Sequence, residues 1–382
     1  MRVEDFDHRR APVRERHPFG QPCGTPTSTM TTAKRHHTVP RMLLRRFSSE
    51  PRADNPEVWG LDILSGTPYR ARINNEAVIR HYYRFEDPKI PIAPSQAEQW
   101  LSRIESDAVV PIRKLVDGTA LTALERESMA FFLHVTQRRT PQSRAWHAHL
   151  DEQMYTEFLK AQLSNPEYIR KRYKDHGDFQ SDEEIERWRI ETLSDLETGV
   201  IGVESGQNRE VAYMFLAADK IVAGISNSTT WWSLRAPPGA GFICSDNPLN
   251  IYDPGAPNRP KEHAGVGWVS SIAVEATLPL DPRVCLLLTP GPPTSRIQEV
   301  DAERVAEINL RTYAAAQQFI YGPSQQAVQE VRKNAKRNRA RIEAFRPRPP
   351  QFTMIETVQG DDQPRFTTYR PASRSFTHSR KK

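Results

Sequence analysis

Apolar residues recur every three or four positions between about residues 95 and 225, a spacing that predicts a block of amphipathic helices. Ser95 and Thr122 are the predicted N-caps of the first two helices, because a glutamate follows each of them three residues later, as in a capping box. The predicted helices of this block are 95–116, 122–139, 144–173, 183–196 and 208–223.

Shorter apolar runs on both sides of the helical block predict β-strands. The runs 58–63 and 68–73 flank the loop Ser65-Gly66-Thr67, so we expect them to form a β-hairpin. The elements predicted after the block are a strand pair 229–234 and 241–244, a loop 250–267, a second strand pair 272–278 and 284–288, a helix 301–316, a strand 318–321 and a helix 324–345. The sequence therefore predicts an α+β fold in which a helical block packs on a small mixed or antiparallel β portion.

Composition changes towards both ends of the chain. The 31 prolines exceed the 18 glycines, many of the prolines lie near the ends, and the mean hydropathy is −0.66. We therefore expect a disordered leader at 1–33, a single α+β domain at 34–345 and a disordered basic tail at 346–382. Met30 is the expected true start of the protein, since the residues before it lack periodicity.

The net charge of +6 is unevenly distributed. Residues 1–35 carry +3 and residues 346–382 carry +5, which leaves −2 for residues 36–345. The strongly basic part of the predicted domain is its last helix, around 329–345. Such a helix can follow the phosphates of a nucleic acid, or it can present a solvated face, and both interpretations stay open.

The sequence also excludes several classes of protein. No apolar run approaches the roughly 18–20 residues that span a bilayer, and the N-terminus lacks the apolar stretch of a signal peptide, so we expect no membrane association. Cys23, Cys244 and Cys285 lie far apart and form no metal-binding pattern, which favours a cytoplasmic protein with reduced cysteines. P-loop, dinucleotide-binding and Gly-x-Ser-x-Gly patterns are absent. The oligomeric state stays open.

Candidate chemistry begins with the stretch 36–47, which concentrates two histidines, three arginines and several large apolar residues. His36 and His37 are candidate general bases or metal ligands, because the pKa of imidazole lies near neutrality. A histidine that satisfies buried backbone groups is an equally compatible interpretation. Arg45, in the same stretch, is a candidate for binding a phosphate-bearing substrate.

Two later segments add candidate residues. Asp246 and Asn247 follow an apolar strand, where polar side chains can face a cleft, although the same residues favour tight turns for structural reasons. Arg138, Arg139 and Arg144 bracket the end of the second predicted helix, and guanidinium groups suit phosphate or carboxylate ligands. Stabilisation of the helix terminus, or a buried ion pair with Asp246, is the structural alternative for these arginines.

Four segments carry a family resemblance. They are His36-His37-x-x-Pro40 running into Leu44-Arg45-Arg46-Phe47, Gln137-Arg138-Arg139-Thr140-Pro141-x-x-Arg144, Phe242-Ile243-Cys244-Ser245-Asp246-Asn247-Pro248, and Leu278-Pro279-Leu280-Asp281-Pro282 followed by Asn309. Together, in this order, they resemble the domain of unknown function 4238 family over about residues 34–322. The resemblance implies an intracellular, mostly microbial protein, and it implies no established activity. Cys244 stands where a hydroxyl residue is expected in many members.

These residues lead to two expectations of function. The first is a hydrolase-like protein that acts on a phosphate-bearing substrate such as nucleic acid. In it the histidine pair would be base or metal ligand, Asp246 would be a ligand or an orienting carboxylate with Asn247 as a further candidate catalytic residue, and the arginines would hold the anion. A divalent metal is the cofactor that such a set suggests, and the sequence identifies no particular one.

The second expectation is a non-catalytic binding or interaction protein, in which the same histidine, arginine and aspartate residues form a structural network. A His-Asn-His nuclease site completed by Asn74 or Asn75 and His81 is a weaker alternative, because the asparagine follows the histidine pair too late in the chain. A site would hold imidazole and carboxylate exposed together, whereas a network would hold them buried and paired.

Overall fold

The computed structural model describes residues 35–347 except 86–92, 176–180, 203, 205, 216–217 and 256–272, and it also describes 355–356 and 365–366. The predicted leader at 1–33, with Met30, lies outside the described residues, as do Cys23 and nearly all of the predicted tail at 346–382. The expectation of a single domain at 34–345 stays a prediction.

The N-terminal part contains the predicted hairpin. Its elements are β1 (Arg35–His37), α1 (Arg41–Arg45), β2 (Glu57–Asp62), β3 (Pro68–Arg72), a 3-10 turn (Ile73–Asn75) and β4 (Val78–Arg80). β2 and β3 pair antiparallel, and β1 pairs antiparallel with β4. The hairpin turns because the Asp62 carboxylate accepts the N–H groups of Leu64 and Ser65 at 2.8 and 3.0 Å, and because Gly66 takes a left-handed backbone with φ +75°. The hairpin prediction is confirmed.

The middle of the chain is helical, as predicted. Its elements are α2 (Gln96–Asp117), α3 (Ala123–Arg138), α4 (Pro141–Leu163), α5 (Pro166–Asp175), α6 (Asp182–Thr198), α7 (Gln207–Tyr213) and α8 (Ala218–Asn227). The helical region predicted over 144–173 consists of two helices, since the chain leaves helix at Ser164 and Asn165 before Pro166 opens α5. The helix predicted over 208–223 is likewise two helices, α7 and α8.

The two predicted N-caps differ in their hydrogen bonds. Thr122 and Glu125 form the predicted capping box, in which each side chain accepts the backbone N–H of the other at 3.3 and 2.8 Å. Ser95 is the N-cap residue of α2, as predicted, but its side chain makes no capping hydrogen bond, so the capping box expected with Glu98 is wrong. Its expected partner Glu98 contacts His36 instead, at 3.3 Å. A tertiary contact has therefore replaced a local one.

The C-terminal part combines strands and helices. Its elements are β5 (Thr229–Arg235), β6 (Cys244–Ser245), β7 (Asn250–Tyr252), β8 (Glu275–Pro279), β9 (Val284–Pro290), β10 (Ser295–Glu299), α9 (Ala302–Ala315), β11 (Phe319–Gly322), α10 (Gln325–Arg337), α11 (Arg339–Phe345), β12 (Ile355–Glu356) and β13 (Arg365–Phe366). One sheet has the order β10-β5-β9-β8-β7, and another has the order β3-β2-β11-β6. Among the described pairings of these two sheets, β5–β10 is parallel and the others are antiparallel. The α+β class is confirmed.

Strand pairing was predicted less well than strand position. The pair 272–278 with 284–288 is confirmed by the antiparallel contact of β8 and β9. The pair 229–234 with 241–244 is wrong, because β5 pairs with β9 and β10, whereas Cys244 pairs with Tyr321 in the other sheet. An apolar run indicates a buried strand and does not indicate its neighbour. The predicted last helix is broken at Asn338, where φ is −113° and ψ is 43°.

The apolar half of the stretch 36–47 belongs to the main hydrophobic core. Its large side chains are fully buried there, namely Val39, Leu43, Leu44 and Phe47. Burial of each such side chain contributes about 1.5–3 kcal/mol to folding. The same core includes residues from the helical block and from both sheets, so the stretch fixes the N-terminal segment to the rest of the fold. No helix among the described residues is long and apolar enough to span a membrane.

Candidate functional site

His36 lies on β1 and is buried. Its Nδ1 accepts the backbone N–H of Tyr83 at 2.7 Å, and its Nε2 lies 3.3 Å from the Glu98 carboxylate. The imidazole also stacks on the Tyr83 ring, with the ring centroids 5.2 Å apart. Both ring nitrogens are therefore engaged within the protein, which leaves neither of them available to bind a metal or to accept a proton from a substrate.

His37 is half-buried, and its backbone and its side chain have different surroundings. The carbonyl accepts hydrogen bonds from the Tyr83 hydroxyl at 2.9 Å and from Arg139 Nη2 at 2.5 Å. The ring Nε2 is buried and has no hydrogen-bond partner among the described residues. Burial, together with the positive charges of Arg41 and Arg139, lowers the pKa of His37 to about 4. The ring is neutral at pH 7.

Arg139 joins three parts of the chain in one buried contact. Its Nη1 lies 2.6 Å from Glu105 on α2, its Nη2 donates to the His37 carbonyl on β1, and its Nε donates to the Tyr83 hydroxyl at 3.2 Å. Burial lowers the pKa of Arg139, but Tyr83 and Glu105 outweigh it and hold the pKa above its usual value. Each of the three guanidinium nitrogens therefore has a partner within the protein.

The other signature arginines differ in their surroundings. Arg144 Nε pairs with Glu210 at 3.0 Å, and its Nη2 donates to the Tyr82 carbonyl at 2.7 Å. Arg45 is exposed on α1 and donates to the Pro51 carbonyl at 3.3 Å. Arg138 contacts His147 on α4. The four predicted anion-binding arginines therefore have different partners, although Arg139 and Arg144 both contact the Tyr82–Tyr83 pair.

Asp246 and Asn247 hold the turn that follows β6. The Asp246 carboxylate accepts the backbone N–H groups of Gln317, Gln318 and Phe319 at 2.8, 2.7 and 2.9 Å. Burial raises the pKa of Asp246, and these three donors oppose that rise. The carboxylate fixes the entrance to β11 and forms no ion pair with Arg139 or Arg144, which pair with Glu105 and Glu210.

Asn247 brings this turn to the helix corner. Its Nδ2 donates to the Gln142 side chain at 2.6 Å and to the Ala315 carbonyl at 3.2 Å. Gln142 lies in the first turn of α4, three residues after Arg139. The His36–His37 segment and the Asp246–Asn247 turn therefore both contact the α3–α4 corner. Each of these contacts is a hydrogen bond between two parts of the protein.

Residues of the four-stranded sheet form, with Glu76, a polar cluster that the sequence did not predict. The Tyr69 hydroxyl donates to the Glu76 carboxylate at 2.9 Å, and burial raises the pKa of Glu76. The buried Tyr321 hydroxyl lies near both groups without the alignment of a hydrogen bond. Gly60 makes room for this cluster, since a Cβ there would lie 2.4 Å from the Tyr69 ring. The sequence feature that could have indicated this cluster is Gly60, a glycine inside a predicted strand.

Metal binding receives little support from the described part of the chain. No group of three or more His, Cys, Asp or Glu residues is arranged there to hold a metal ion. Asn74 and Asn75, which would complete a His-Asn-His site, accept hydrogen bonds from Arg41 and Arg35 through their side-chain oxygens. The side chains of both asparagines are therefore bound by arginines of β1 and α1.

A basic surface lies on α10 and α11. Residues 325–345 carry +4, whereas residues 36–324 carry −6. The exposed cations of this surface are Lys333, Lys336, Arg337, Arg339 and Arg341. The apolar side chains of the two helices are buried against α9 and the four-stranded sheet. Both helices are therefore amphipathic, and their outer face is strongly cationic.

The fold and the network define an α+β protein whose signature residues are mainly internal. The chain belongs to the family described as Protein of unknown function (DUF4238), whose model matches residues 35–326. The match spans all four sequence segments, from the histidine pair to Asn309. No curated protein and no solved structure matches the chain.

We expect Asp246→Ala to destabilise the protein by about 3 kcal/mol, because three backbone N–H groups lose their acceptor. Asp246→Asn keeps one acceptor oxygen and should cost less. Urea unfolding at neutral pH measures both variants. An alanine variant as stable as the wild type would contradict the structural role of this carboxylate and would return it to the candidate site.

Proposed function

We propose that this protein is a non-catalytic nucleic-acid-binding protein, in which the histidine, arginine and aspartate residues of the family signature hold the fold together. The α10–α11 basic surface makes the contacts to the nucleic acid. The observation that carries the proposal is the segregation of charge, with +4 on residues 325–345 and −6 on residues 36–324.

The hydrogen bonds of the signature residues favour binding over hydrolysis. A general base needs a nitrogen or oxygen that can reach a substrate proton. His36 uses both nitrogens internally, and Asp246 uses its carboxylate for backbone donors. Arg139, the predicted anion clamp, is buried and neutralised by Glu105. The hydrolase interpretation would require several of these contacts to break.

The basic surface has the properties that a phosphate backbone requires. Lys336, Arg337, Arg339 and Arg341 are exposed, and none of them forms an ion pair with any residue that the structure describes. Their charges are therefore available to replace counterions along a polyanion. The sequence that follows is also basic, since residues 346–382 carry a further +5.

A nucleic acid fits this surface better than a lipid membrane does. Peripheral membrane helices present large apolar side chains next to their cations. Here the large apolar residues of α10 and α11 are turned inward, with Val328, Ile342 and Phe345 all buried. A surface that offers charge without apolar side chains recognises phosphates through counterion release, with little dependence on sequence.

The test is fluorescence anisotropy with a short labelled DNA duplex and a single-stranded RNA of equal length. The variant Lys336→Glu, Arg337→Glu and Arg339→Glu is expected to lose measurable binding at moderate salt. Each lost phosphate contact should also reduce the steepness of the fall of log K with log salt by about 1, so the loss of three contacts should reduce it by about 3.

A matched control reverses three exposed cations elsewhere. Lys171→Glu, Arg172→Glu and Lys174→Glu change the exposed cations of α5, which packs beside the acidic α6, and should leave nucleic-acid binding unchanged. If both triple variants lost nucleic-acid affinity equally, the loss would reflect net charge, and the proposal that the α10–α11 basic surface makes the contacts would be refuted. Cleavage of the bound nucleic acid by the wild type, with magnesium or manganese present, would restore the hydrolase interpretation.

A further inference from the structure

The β1–β4 ribbon places two arginines directly opposite each other. Arg35 of β1 and Arg80 of β4 are partners in the antiparallel register, and both residues are exposed. Like charges in directly opposite positions destabilise a strand pair. Among the described residues, neither guanidinium has a carboxylate within 4.0 Å. The ribbon therefore carries two adjacent positive charges that the described part of the protein does not neutralise.

A third arginine joins this pair through the 3-10 turn. The Arg35 Nη2 donates to the Asn75 side-chain oxygen at 2.9 Å and to the Asn74 carbonyl at 3.4 Å. The Arg41 Nη1 donates to the Asn74 side-chain oxygen at 3.3 Å. These amide oxygens orient the guanidinium groups without cancelling their charge. Arg35, Arg41 and Arg80 together form the β1–β4 arginine cluster.

The cluster has both free donors and access to solvent. Arg41 is exposed, as Arg35 and Arg80 are, and each asparagine contact uses one nitrogen of a guanidinium that carries five N–H donors. The charge of Arg41 lowers the pKa of Glu98 against the larger effect of burial, but Glu98 lies against His36, at 3.3 Å. An acceptor from outside the protein can therefore reach these donors.

The edge strand β3 connects the cluster with the α10–α11 basic surface. α10 packs against β2 and β3, and at the β2–β3 turn a Cβ on Gly66 would overlap the guanidinium of Arg332 on α10. From this turn β3 runs over Pro68–Arg72 and leads directly into the 3-10 turn that holds Arg35 and Arg41. Five residues of a strand, at about 3.3 Å each, cover about 17 Å. The cluster therefore lies about one short strand away from α10.

We propose that the β1–β4 arginine cluster is a second phosphate-binding surface for one nucleic acid that also contacts α10 and α11. This inference rests on the function proposed above and adds the path of the ligand, which follows β3. Successive phosphates of a duplex strand are about 3.4 Å apart along the axis, so about 17 Å corresponds to about five base pairs. Guanidinium groups suit this path because they bind phosphate oxygens through paired N–H donors. The ligand is therefore a nucleic-acid polymer rather than a free nucleotide.

The test is fluorescence anisotropy with a labelled DNA duplex of about 20 base pairs, long enough to reach both surfaces. The variant Arg35→Gln, Arg41→Gln and Arg80→Gln is expected to bind at least about tenfold more weakly than the wild type at moderate salt. It should also reduce the steepness of the fall of log K with log salt by about 3, because three phosphate contacts are lost. Its melting temperature should stay close to that of the wild type, since the three side chains are exposed.

The matched control removes the same charge elsewhere. Lys171→Gln, Arg172→Gln and Lys174→Gln change the exposed cations of α5 and should leave both the affinity and the salt dependence unchanged. An equal loss of affinity in this variant would assign the effect to net charge and would overturn the inference.

Chemical footprinting tests the position of the contact. Phenylglyoxal modifies exposed arginines, and the bound duplex should protect Arg35, Arg41 and Arg80 while Arg172 on α5 stays reactive. Equal protection by inorganic phosphate at the same phosphate concentration would make the cluster a site for small anions and would overturn the assignment to a polymer.

The outcomes for this inference and for the proposed function are distinguishable. If the wild type binds the duplex and the triple glutamate variant of the α10–α11 basic surface does not, the proposed function stands. Wild-type affinity and salt dependence in the arginine-cluster variant would then overturn the second surface alone. If the wild type binds no nucleic acid, the proposed function fails and the second surface fails with it.

Discussion

Acidification from pH 7 to about 5 is expected to destabilise the protein strongly, because the fully buried His134 and the half-buried His37 and His147 resist protonation in the folded state. Burial is the main cause that lowers the pKa of His37, His134 and His147 from 6.5 to about 4. The unfolded chain takes up these protons near pH 6.5, and the folded chain does so only near pH 4. The stability that these neutral histidines contribute is therefore fully present above pH 6.5, and it is lost as the pH falls from 6.5 towards 4.

The expected loss is large compared with the stability of a typical domain. A shift of this size corresponds to about 3 kcal/mol for each histidine at pH 4 and to about 2 kcal/mol at pH 5. Three such groups together approach about 6 kcal/mol at pH 5, against a total of about 5–15 kcal/mol for a folded domain. We therefore expect urea midpoints to fall steeply between pH 6.5 and pH 5.

The variant His134→Phe tests the assignment, since it removes one of the three groups and keeps a ring in the core. It should lose stability less steeply with falling pH, by about one proton in the linkage slope. Burial raises the pKa of Glu76 and Glu98, which act in the opposite sense, and comparison of variant with wild type cancels their contribution. Equal slopes in the two proteins would contradict the proposed role of His134.

Arg139→Met is expected to destabilise the folded protein by about 3–5 kcal/mol, because it removes one partner of a buried ion pair. Glu105 would keep a charge without its cation, and the His37 carbonyl and the Tyr83 hydroxyl would lose a donor. Methionine has a similar length, so the loss of packing is small. Urea unfolding at neutral pH measures the effect, and Arg45→Met on the exposed face of α1 is the control, with an expected change below about 0.5 kcal/mol.

A double-mutant cycle makes this prediction sharper. Glu105→Met removes the other charge, so the double variant should be less destabilised than the sum of the two single variants. The cycle therefore measures the coupling of the pair rather than the cost of a changed side chain. Additive effects would show that Arg139 and Glu105 act independently, and they would weaken the structural interpretation of the signature.

Local signals in the sequence predicted the elements that depend on neighbours along the chain. The capping box of Thr122 and Glu125 fixed the start of α3, and the loop at Gly66 fixed the β2–β3 hairpin. These features form between residues a few positions apart, so they can be recognised without knowledge of the rest of the fold. The same reasoning failed at Ser95, where Glu98 contacts His36 instead of the helix terminus.

The sequence also nominated segments that contact one another in the fold, without assigning their roles. It singled out the histidine pair, the arginines of the α3–α4 corner and the Asp246 turn, and the structure brings the first and third of these into contact with the corner through Arg139 and Asn247. Whether such residues are exposed or paired depends on partners far away in the chain. Tyr83, Glu105 and Gln142 supply those partners, and no local pattern indicated them.

The sequence by itself determined the α+β class, the helical block, the family resemblance and the concentration of positive charge near the C-terminus, because composition and periodicity are properties of the chain alone. Tertiary structure alone decided which strands pair and which polar groups are satisfied. It gave Arg139 a buried contact with Glu105 and gave Arg138 a neutral imidazole instead, although the two arginines are adjacent. Adjacent residues on a helix point about 100° apart, so each meets a different set of distant neighbours.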